Sequence, residues 1–212
     1  MKDYSQHGES LVLEELFEKI GLINSYGVEF GASDGYWLSN LRFFLEAKQW
    51  AGLQMEGVKH PINGVVNEFI TAENINSLFQ KHNVPERFDL LSIDIDGNDY
   101  WVWREIKSIP SVVVIEYNSN FDVDTDLVLE YNPNNSFDGS YAYSASAKAL
   151  CRLSETKGYY LYDELGYCNL IFVKSEYAPV APPKVTLDTL RDRLPYYQHG
   201  RNLGNKRFIC SP

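Results

Sequence analysis

The sequence predicts an α/β domain in which helices cover both faces of a mostly parallel sheet. Segments typical of strands alternate with segments typical of helices up to about residue 117, which is the pattern of a doubly wound domain. The run "SVVVIEY" (111–117) is almost continuously apolar, as expected for a strand that is buried on both faces of such a sheet. Ligands of these domains bind at the carboxyl ends of the strands.

The individual elements follow in order from the spacing of their apolar residues. A helical repeat of apolar side chains predicts helices at about 9–21, 36–50, 74–82, 98–106 and 143–157. Apolar runs predict parallel strands at 26–30, 51–56, 65–70, 88–96 and 111–117. The segment 158–174 contains two further strands around a short turn, and we expect it to form an antiparallel hairpin at the edge of the sheet.

The rest of the chain is more polar and less regular. The segment 118–142 is rich in polar and aromatic residues and is longer than an ordinary connection, so we expect it to act as a lid. Residues 1–176 are predicted to form the main domain. Residues 177–212 are predicted to form a proline-rich exit, one short helix at about 187–194 and a basic tail that packs on the domain.

The charge of the chain restricts its partners. A formal net charge of −10 argues against nucleic acid, because phosphate binding needs a basic surface. The segment 184–212 is different, since its six basic and two acidic residues give it a net charge of +4. Such a tail can pack against the acidic body or bind an anionic substrate.

The cysteine content and the apolar runs bear on the compartment. The start "MKDYSQHGES" does not resemble a secretory signal, and no stretch approaches the ~18 apolar residues of a membrane span. We therefore expect a cytoplasmic protein without a membrane span. Cys151, Cys168 and Cys210 are odd in number and lack CxxC spacing, so the sequence indicates neither a disulfide framework nor a structural zinc site.

The segment "VEFGASDGYWLSN" (28–40) is a glycine turn between a predicted strand and a predicted helix. It lacks the middle glycine of the dinucleotide pattern GxGxxG, and the carboxylates of Glu29 and Asp34 would repel a pyrophosphate. The same carboxylates favour S-adenosylmethionine, which carries an ammonium and a sulfonium cation and no phosphate. Gly31 and Gly35 would let the backbone approach the methionine part closely.

A second acidic residue supports this interpretation. Glu56 ends the second strand, where an acidic residue can accept both ribose hydroxyls. An NAD enzyme would also use an acidic residue there, and a purely structural alternative has Asp34 as the cap of the following helix. The glycine pattern, Glu56 and the order of strand and helix together favour the methyl donor.

Several motifs in a fixed order resemble the FkbM-like S-adenosylmethionine-dependent methyltransferases. The resemblance covers about residues 4–174 and includes "YSQHGES", "VEFGASDGYWLSN", "WAGLQMEG", "TAENI", "FDLLSIDIDGNDYWVW" and "VVVIEYN". It implies a class I methyltransferase (Rossmann-like) fold, a three-layer sandwich over residues 1–176 with a seven-stranded sheet. The implied strand order is 3-2-1-4-5-7-6, with only strand 7 antiparallel.

The resemblance also implies a set of cofactor contacts. Gly31, Ala32 and Gly35 would surround the methionine part, Glu29 would bind its ammonium, and Glu56 would bind the ribose. Asn74 and Ile75 would lie beside the adenine, and Asp94 would lie at the methyl-transfer centre. Gln6, Ser39 and Asn40 are further candidates. Many relatives have Asp in place of Glu29, and the basic tail has no counterpart among the family motifs.

The ends of the fourth and fifth strands carry further acidic residues. The two-residue period of a strand predicts that Asp94 and Asp96 face the same side, and that Glu116 and Asn118 do likewise. Such oxygen ligands suit Mg²⁺ or another divalent cation, and the arrangement is similar to that of catechol-type O-methyltransferases. Asp94, Glu116 and Asn118 are the predicted ligands, with Asp96 either supporting these ligands or acting as a general base. A metal-free site, in which Asp96 and Asn98 cap the next helix, is the alternative.

The predicted activity is O-methylation, with a general base or a metal assisting deprotonation of a hydroxyl. The resemblance points to a sugar hydroxyl of a surface glycan or a glycosylated metabolite. Aromatic residues of the 118–142 loop and of "YWVW" (100–103) could stack on a sugar, although Trp101 and Trp103 are expected in the core. The alternatives are a metal-independent N- or small-metabolite methyltransferase and a non-catalytic S-adenosylmethionine-binding protein.

Overall fold

The fold is built on a seven-stranded sheet of the Rossmann-like methyltransferase type. The structure is a computed structural model and describes residues 2–58, 64–191 and 206–212. The strands of the described residues are β1 (Tyr26–Phe30), β2 (Ala51–Glu56), β3 (Val65–Asn67), β4 (Arg87–Ile93), β5 (Ile109–Glu116), β6 (Leu127–Leu129), β7 (Tyr159–Leu165), β8 (Asn169–Lys174) and β9 (Phe208–Cys210).

The strand order of the main sheet is β3-β2-β1-β4-β5-β8-β7. Strands β1 to β5 pair in parallel, whereas β8 is antiparallel to both of its neighbours. Since β6 lies outside this sheet, β7 and β8 are its sixth and seventh strands, and the order is the predicted 3-2-1-4-5-7-6. The predicted fold class is therefore confirmed, including the single antiparallel strand.

Helices cover both faces of this sheet. They are α1 (Glu9–Ile20), α2 (Arg42–Ala47), α3 (Ile75–Lys81), α4 (Asp99–Glu105), α5 (Ala147–Thr156) and α6 (Leu187–Arg191), with a turn of 3-10 helix at Ser175–Tyr177. One apolar cluster joins α3, α4 and α5 to one face, and a second joins α1 and α2 to the other. Neighbouring residues of β5 alternate between the two clusters, with Val113 in the first and Val114 in the second, as the pleat of a strand requires.

The helix predicted at 36–50 is much shorter than the apolar pattern indicates. The helix α2 begins only at Arg42, and the residues before it form an irregular turn. In this turn the Asp34 carboxylate accepts hydrogen bonds from the N–H groups of Tyr36 (2.8 Å) and Trp37 (2.7 Å). Leu38 has a left-handed φ of 57°, a conformation that a helix does not contain. Asp34 thus shapes the turn and does not cap the helix.

The loop that follows β5 carries a strand of its own. Its residues Leu127–Leu129 form β6, which pairs in antiparallel register with β9 near the end of the chain. The Glu130 N–H also donates to the Arg207 carbonyl oxygen (2.7 Å).

The division of the chain at residue 176 stays a prediction, and the part of the predicted short helix at 192–194 lies outside the described residues.

The helices of the described residues are all too short, or too polar, to cross a lipid bilayer.

Candidate functional site

A cavity of about 500 Å³ opens at the carboxyl ends of the parallel strands. Its walls come from the residues that follow β1, β2, β3 and β4, from the end of β5, from the loop at 135–137 and from Gln6 near the start of the chain. The following predicted site residues line it: Gln6, Glu29, Gly31, Ala32, Ser39, Asn40, Glu56, Asp94, Asp96 and Glu116. Gly35, Asn74, Ile75 and Asn118 are not among the lining residues.

The glycine turn after β1 requires glycine at two positions. Gly31 has a φ of 67°, and a Cβ atom there would lie 1.6 Å from the Asp94 carbonyl oxygen. Gly35 has a φ of 74°, and its Cβ would lie 2.8 Å from an Arg42 guanidinium nitrogen. Both glycines therefore allow a left-handed backbone and a close approach. Gly31 lies in the cavity wall, whereas Gly35 supports the turn from behind.

The Glu29 carboxylate organises this turn from below. It accepts hydrogen bonds from Ser39 Oγ (2.6 Å), Asn40 N (2.7 Å) and Gln54 Nε2 (2.7 Å), and a longer one from Leu41 N (3.4 Å). Burial raises the pKa of Glu29, and these hydrogen bonds act in the opposite direction. Glu29 is only 3% exposed. Its buried hydrogen bonds to Ser39, Asn40 and Leu41 hold the residues that precede α2 outside the helix.

Two residues of this network are absent from the prediction. Gln54 Oε1 accepts from Arg42 Nη2 (2.6 Å), and the Gly35 carbonyl oxygen accepts from Arg42 Nε (2.5 Å) and Gln54 Nε2 (3.0 Å). Both side chains are buried. The polar Gln54 within the apolar strand "AGLQME" was the available signal, because a buried amide in a strand needs partners.

Glu56 lies at the end of β2 with its carboxylate facing the glycine turn. Its Oε2 accepts from Ser33 N (2.9 Å) and its Oε1 accepts from Val58 N (2.9 Å). The two backbone donors fix the orientation of the carboxylate at the cavity wall. A fixed bidentate acceptor at this strand end is the arrangement that a ribose diol can use.

Gln6, Ser39 and Asn40 are brought to the same cavity from two different segments. Asn40 Nδ2 donates to Ser92 Oγ (3.0 Å), and its buried Oδ1 accepts no hydrogen bond from the described residues. Gln6 Oε1 accepts a weak bond from the Cys168 thiol (3.5 Å). A buried oxygen without a donor costs stability unless a ligand or water supplies one.

The residues predicted beside the adenine take structural roles. The Asn74 side chain accepts from Thr71 N (2.8 Å) and donates to the Phe69 carbonyl oxygen (2.8 Å), and Ile75 is fully buried in the core. The cavity wall in this region consists of Phe69 and Ile70. Asn74 thus holds the loop that presents them, which a motif match alone does not distinguish from direct contact.

Three carboxyl groups gather beyond the ends of β4 and β5, and two of them, Asp94 and Glu116, line the cavity. One oxygen from each of Asp94, Asp99 and Glu116 lies within 4.8 Å of the others, and we call this group the carboxylate cluster. Asp99 accepts from Ile95 N (2.8 Å) and Gly97 N (2.8 Å) and so shapes the loop between β4 and α4. The prediction lacks Asp99, although the spacing of acidic residues in "DIDGND" with a central glycine was a signal for such a loop.

The loop after β4 also changes the basis for placing Asp96. The strand ends at Ile93, so Asp94 and Asp96 are not related by a strand period. Asp96 instead reaches the cavity from a left-handed residue with a φ of 56°. Asn118 is fully buried, and its amide donates to the carbonyl oxygens of Tyr141 (3.0 Å) and Tyr143 (2.9 Å), which fixes the loop after β5.

The cluster strongly perturbs its own ionisation. Burial is the main cause that raises the pKa of Asp94 and Glu116, and repulsion from the neighbouring carboxylates adds to it. Burial likewise raises the pKa of Asp99 to about 6. Burial raises the pKa of Asp96, while Lys206 acts in the opposite direction. Glu116 Oε2 is buried and accepts no hydrogen bond from the described residues.

The cavity as a whole is acidic. Its lining includes six carboxyl groups, which we call the acidic wall: Glu29, Glu56, Glu68, Asp94, Asp96 and Glu116. Lys81 (2.5 Å) and His82 (2.8 Å) contact Glu68 from outside. Within the described part of the chain, no Lys, Arg or His side chain lines the cavity. Such a wall attracts cations and repels anions.

Comparisons with known proteins give distant likenesses only. No family model and no curated protein matches the chain. The N-terminal domain of EvdMO1 with SAH bound is similar to it with a TM-score of 0.46 at 14% identity, over 78% of this chain and 80% of that one. The same domain in the presence of SAH and D-fucose gives a TM-score of 0.47 at 13% identity, over 80% and 83%. A likeness at this level is limited to the general course of the chain.

Proposed function

We propose that this protein is an S-adenosylmethionine-dependent methyltransferase. The observation that carries the proposal is the acidic wall, which lies at the strand ends where this fold binds ligands. Its member Glu56 faces the glycine turn and accepts a hydrogen bond from Ser33 N. A dinucleotide would bring its pyrophosphate against several carboxylates. S-adenosylmethionine instead presents two cationic groups to them, which favours binding.

The cofactor contacts follow from the position of each residue. In the proposed complex, Glu56 accepts the ribose hydroxyls and the apolar side chains of Phe69 and Ile70 lie beside the adenine. Gly31 and Ala32 contact the methionine part, and Asn40 Oδ1, which has no donor among the described residues, accepts from the ammonium. Glu29 and Gly35 hold the turn, with Glu29 adding a negative charge near the same ammonium.

The proposed reaction is O-methylation of a sugar hydroxyl, in keeping with the FkbM-like motifs. The hydroxyl oxygen attacks the methyl carbon, the S–CH₃ bond breaks as the O–CH₃ bond forms, and the hydroxyl proton passes to a carboxylate. Asp96 suits this step, because it lines the cavity and its raised pKa makes it a stronger base than an exposed Asp. The enclosed walls align the two reactants and exclude water.

A divalent cation fits the carboxylate cluster. We propose that Asp94 and Glu116 bind it, the latter through Oε2, which has no hydrogen-bond partner among the described residues. Asp99 is a third acidic neighbour, in place of the predicted Asn118. Carboxylate oxygens are the ligands that Mg²⁺ prefers in proteins. A bound cation would make a nearby hydroxyl more acidic.

Cytoplasmic location stays a prediction from the sequence.

The cofactor assignment is tested by ligand-induced stabilisation. S-adenosylhomocysteine at 100 times its Kd should raise the free energy of unfolding by about 2.7 kcal/mol, and NAD should not. Glu56→Gln should weaken the binding of S-adenosylhomocysteine roughly tenfold or more, since one acceptor oxygen for the ribose is lost. Asp188→Asn is the matched control, because the Asp188 side chain is 94% exposed and does not line the cavity. Stabilisation by NAD alone would reject the assignment.

The metal site is tested without a methyl acceptor. At pH 7, MgCl₂ or MnCl₂ should raise the melting temperature of the cofactor-free protein, and EDTA should reverse the effect, because the cation binds the folded cluster and not the unfolded chain. Glu116→Gln should lower the cation affinity at least tenfold, whereas Asp188→Asn should leave it unchanged. A melting temperature that is insensitive to both cations would exclude this part of the proposal.

A further inference from the structure

Two large aromatic side chains stand exposed at the opening of the cavity. Trp37 is 67% exposed and Phe137 is 58% exposed, and both line the cavity. They come from opposite segments, the turn before α2 and the loop before α5. Tryptophan is usually highly buried, and the other three tryptophans of this chain are at most 7% exposed. An exposed Trp that lines a cavity therefore points to a ligand.

The backbone of Trp37 is fixed although its side chain is free. Its N–H donates to Asp34 Oδ1 (2.7 Å), and the flanking residue Leu38 adopts a left-handed φ of 57°. Tyr36 is held by the Arg42 guanidinium, 3.9 Å from its ring centroid, and does not line the cavity. Backbone strain at non-glycine residues persists where surrounding contacts enforce it, and here the enforced turn presents the Trp37 indole at the opening.

Phe137 is positioned from the other side in a similar way. The preceding carbonyl oxygen of Ser136 accepts from Lys206 Nζ (2.8 Å), and Asn135 Nδ2 donates to the Asp96 carbonyl oxygen (3.4 Å). Gly97 permits this approach, since a Cβ there would lie 1.7 Å from Asn135 Nδ2. The loop is thus anchored beside the proposed catalytic Asp96, while the phenyl ring stays exposed.

The charge around these rings restricts what they can bind. The acidic wall contains six carboxyl groups, and within the described residues no basic side chain lines the cavity, so the ionised members of the wall would repel an anionic acceptor. The cavity lining also offers a buried hydrogen-bond acceptor, Asn98 Oδ1, which has no donor among the described residues. The bound molecule must then bring hydrogen-bond donors, no negative charge, and an apolar face for the aromatic rings.

We propose that Trp37 and Phe137 bind the C–H face of an uncharged sugar ring that carries the acceptor hydroxyl. A pyranose has both required surfaces, because its axial C–H groups form an apolar face and its hydroxyls point outward as donors. C–H groups are attracted to the negative face of an indole ring. This assignment rests on the proposed methyltransferase function and adds to it the residues that bind the sugar and the absence of charge on the sugar, in contrast to the anionic substrate that the basic tail allows.

Trp37 supplies a readout that does not depend on turnover. Being the one strongly exposed tryptophan, it should account for most of the fluorescence quenched by acrylamide. Methyl β-D-glucoside and methyl β-D-galactoside, added to the complex with S-adenosylhomocysteine, should protect it from quenching. The corresponding methyl glucuronide and galacturonide, in which a carboxylate replaces the C6 hydroxymethyl group, should bind at least tenfold more weakly.

Variants separate this proposal from the cofactor assignment. Trp37→Ala and Phe137→Ala should each lower glycoside affinity about tenfold in titration calorimetry, Trp37→Phe should lower it less, and all three should bind S-adenosylhomocysteine normally. Leu11→Ala, at a 52% exposed position outside the cavity wall, should change neither affinity. The proposal is overturned if no glycoside protects Trp37, if the uronides bind as well as the neutral glycosides, or if S-adenosylhomocysteine alone gives full protection. If the wild type does not bind S-adenosylhomocysteine, the proposed function itself is contradicted.

Discussion

At the scale of single residues, the glycine turn shows how one side chain can decide the geometry of a binding site. Gly31 combines a left-handed backbone with a position against the Asp94 carbonyl oxygen, so it joins the end of β1 to the loop after β4. The sequence predicts the need for glycine there. It does not predict the neighbour, because contacts between segments 63 residues apart are set by the register of the sheet.

The substitution Gly31→Ala should therefore be more damaging than backbone strain alone explains. A left-handed conformation costs an alanine about 1 kcal/mol, and here the added Cβ would also lie 1.6 Å from the Asp94 oxygen. We expect a loss of at least 3 kcal/mol in the free energy of unfolding, on the order of a severe core substitution, measured by urea denaturation.

Gly139→Ala provides the matched control for this substitution. Gly139 has a similar φ of 76°, but a Cβ there would meet no atom within 4 Å. Its substitution should cost only the conformational term of about 1 kcal/mol. Equal losses in the two variants would show that the contact with Asp94 carries no energy.

At the scale of secondary structure elements, the strands are predicted better than the segments between them. The central strands β1, β4 and β5 are short apolar runs that are buried along nearly their whole length, a pattern typical of strands inside a parallel sheet. The turn before α2 is predicted wrongly by the same reasoning, because its apolar residues have helical spacing but do not form a helix. Glu29 and Asp34 instead accept hydrogen bonds from the backbone N–H groups of Asn40 and Trp37. Similarly, β6 forms because β9 supplies its partner from about 80 residues away, which no local pattern records.

The candidate site follows the same division. Residues at strand ends, such as Glu56 and Glu116, could be placed from the sequence because the fold fixes where parallel strands end. Asp99 and Trp37 could not, since their positions depend on loops shaped by individual hydrogen bonds. For the residues predicted beside the adenine, the sequence identifies the right loop but the wrong residue. Asn74 holds the loop by a hydrogen bond to the Phe69 carbonyl oxygen, and Phe69 lines the cavity.

At the scale of the whole molecule, the acidic cavity makes the stability of the cofactor-free protein depend on pH. Burial raises the pKa of Asp99 from 3.8 to about 6, and burial together with repulsion from neighbouring carboxylates also raises the pKa values of Asp94 and Glu116. The folded protein therefore retains protons on these groups at pH values where the unfolded chain has released them. Their stabilising contribution is complete below about pH 4 and is lost as the pH rises through the folded-state values.

We accordingly expect the free energy of unfolding of the cofactor-free protein to fall between pH 5 and pH 7. The slope should be about 1 kcal/mol per pH unit for each carboxyl group that keeps a proton only in the folded state. Surface carboxyls with lowered pKa values, such as Asp124 and Asp138, act below this window and do not mask the effect. Urea denaturation in EDTA at several pH values measures the slope directly.

The substitution Asp94→Asn should make this slope shallower. It removes one titrating carboxyl, and it also removes the charge that raises the pKa of Glu116, so the variant should lose less stability between pH 5 and pH 7 than the wild type. Asp188→Asn should keep the wild-type slope, because that side chain is 94% exposed. A wild-type stability that rises over this range would mean that the three carboxyls are ionised together in the folded protein. In that case, contacts other than those described would have to offset the repulsion between the three negative charges of the cluster.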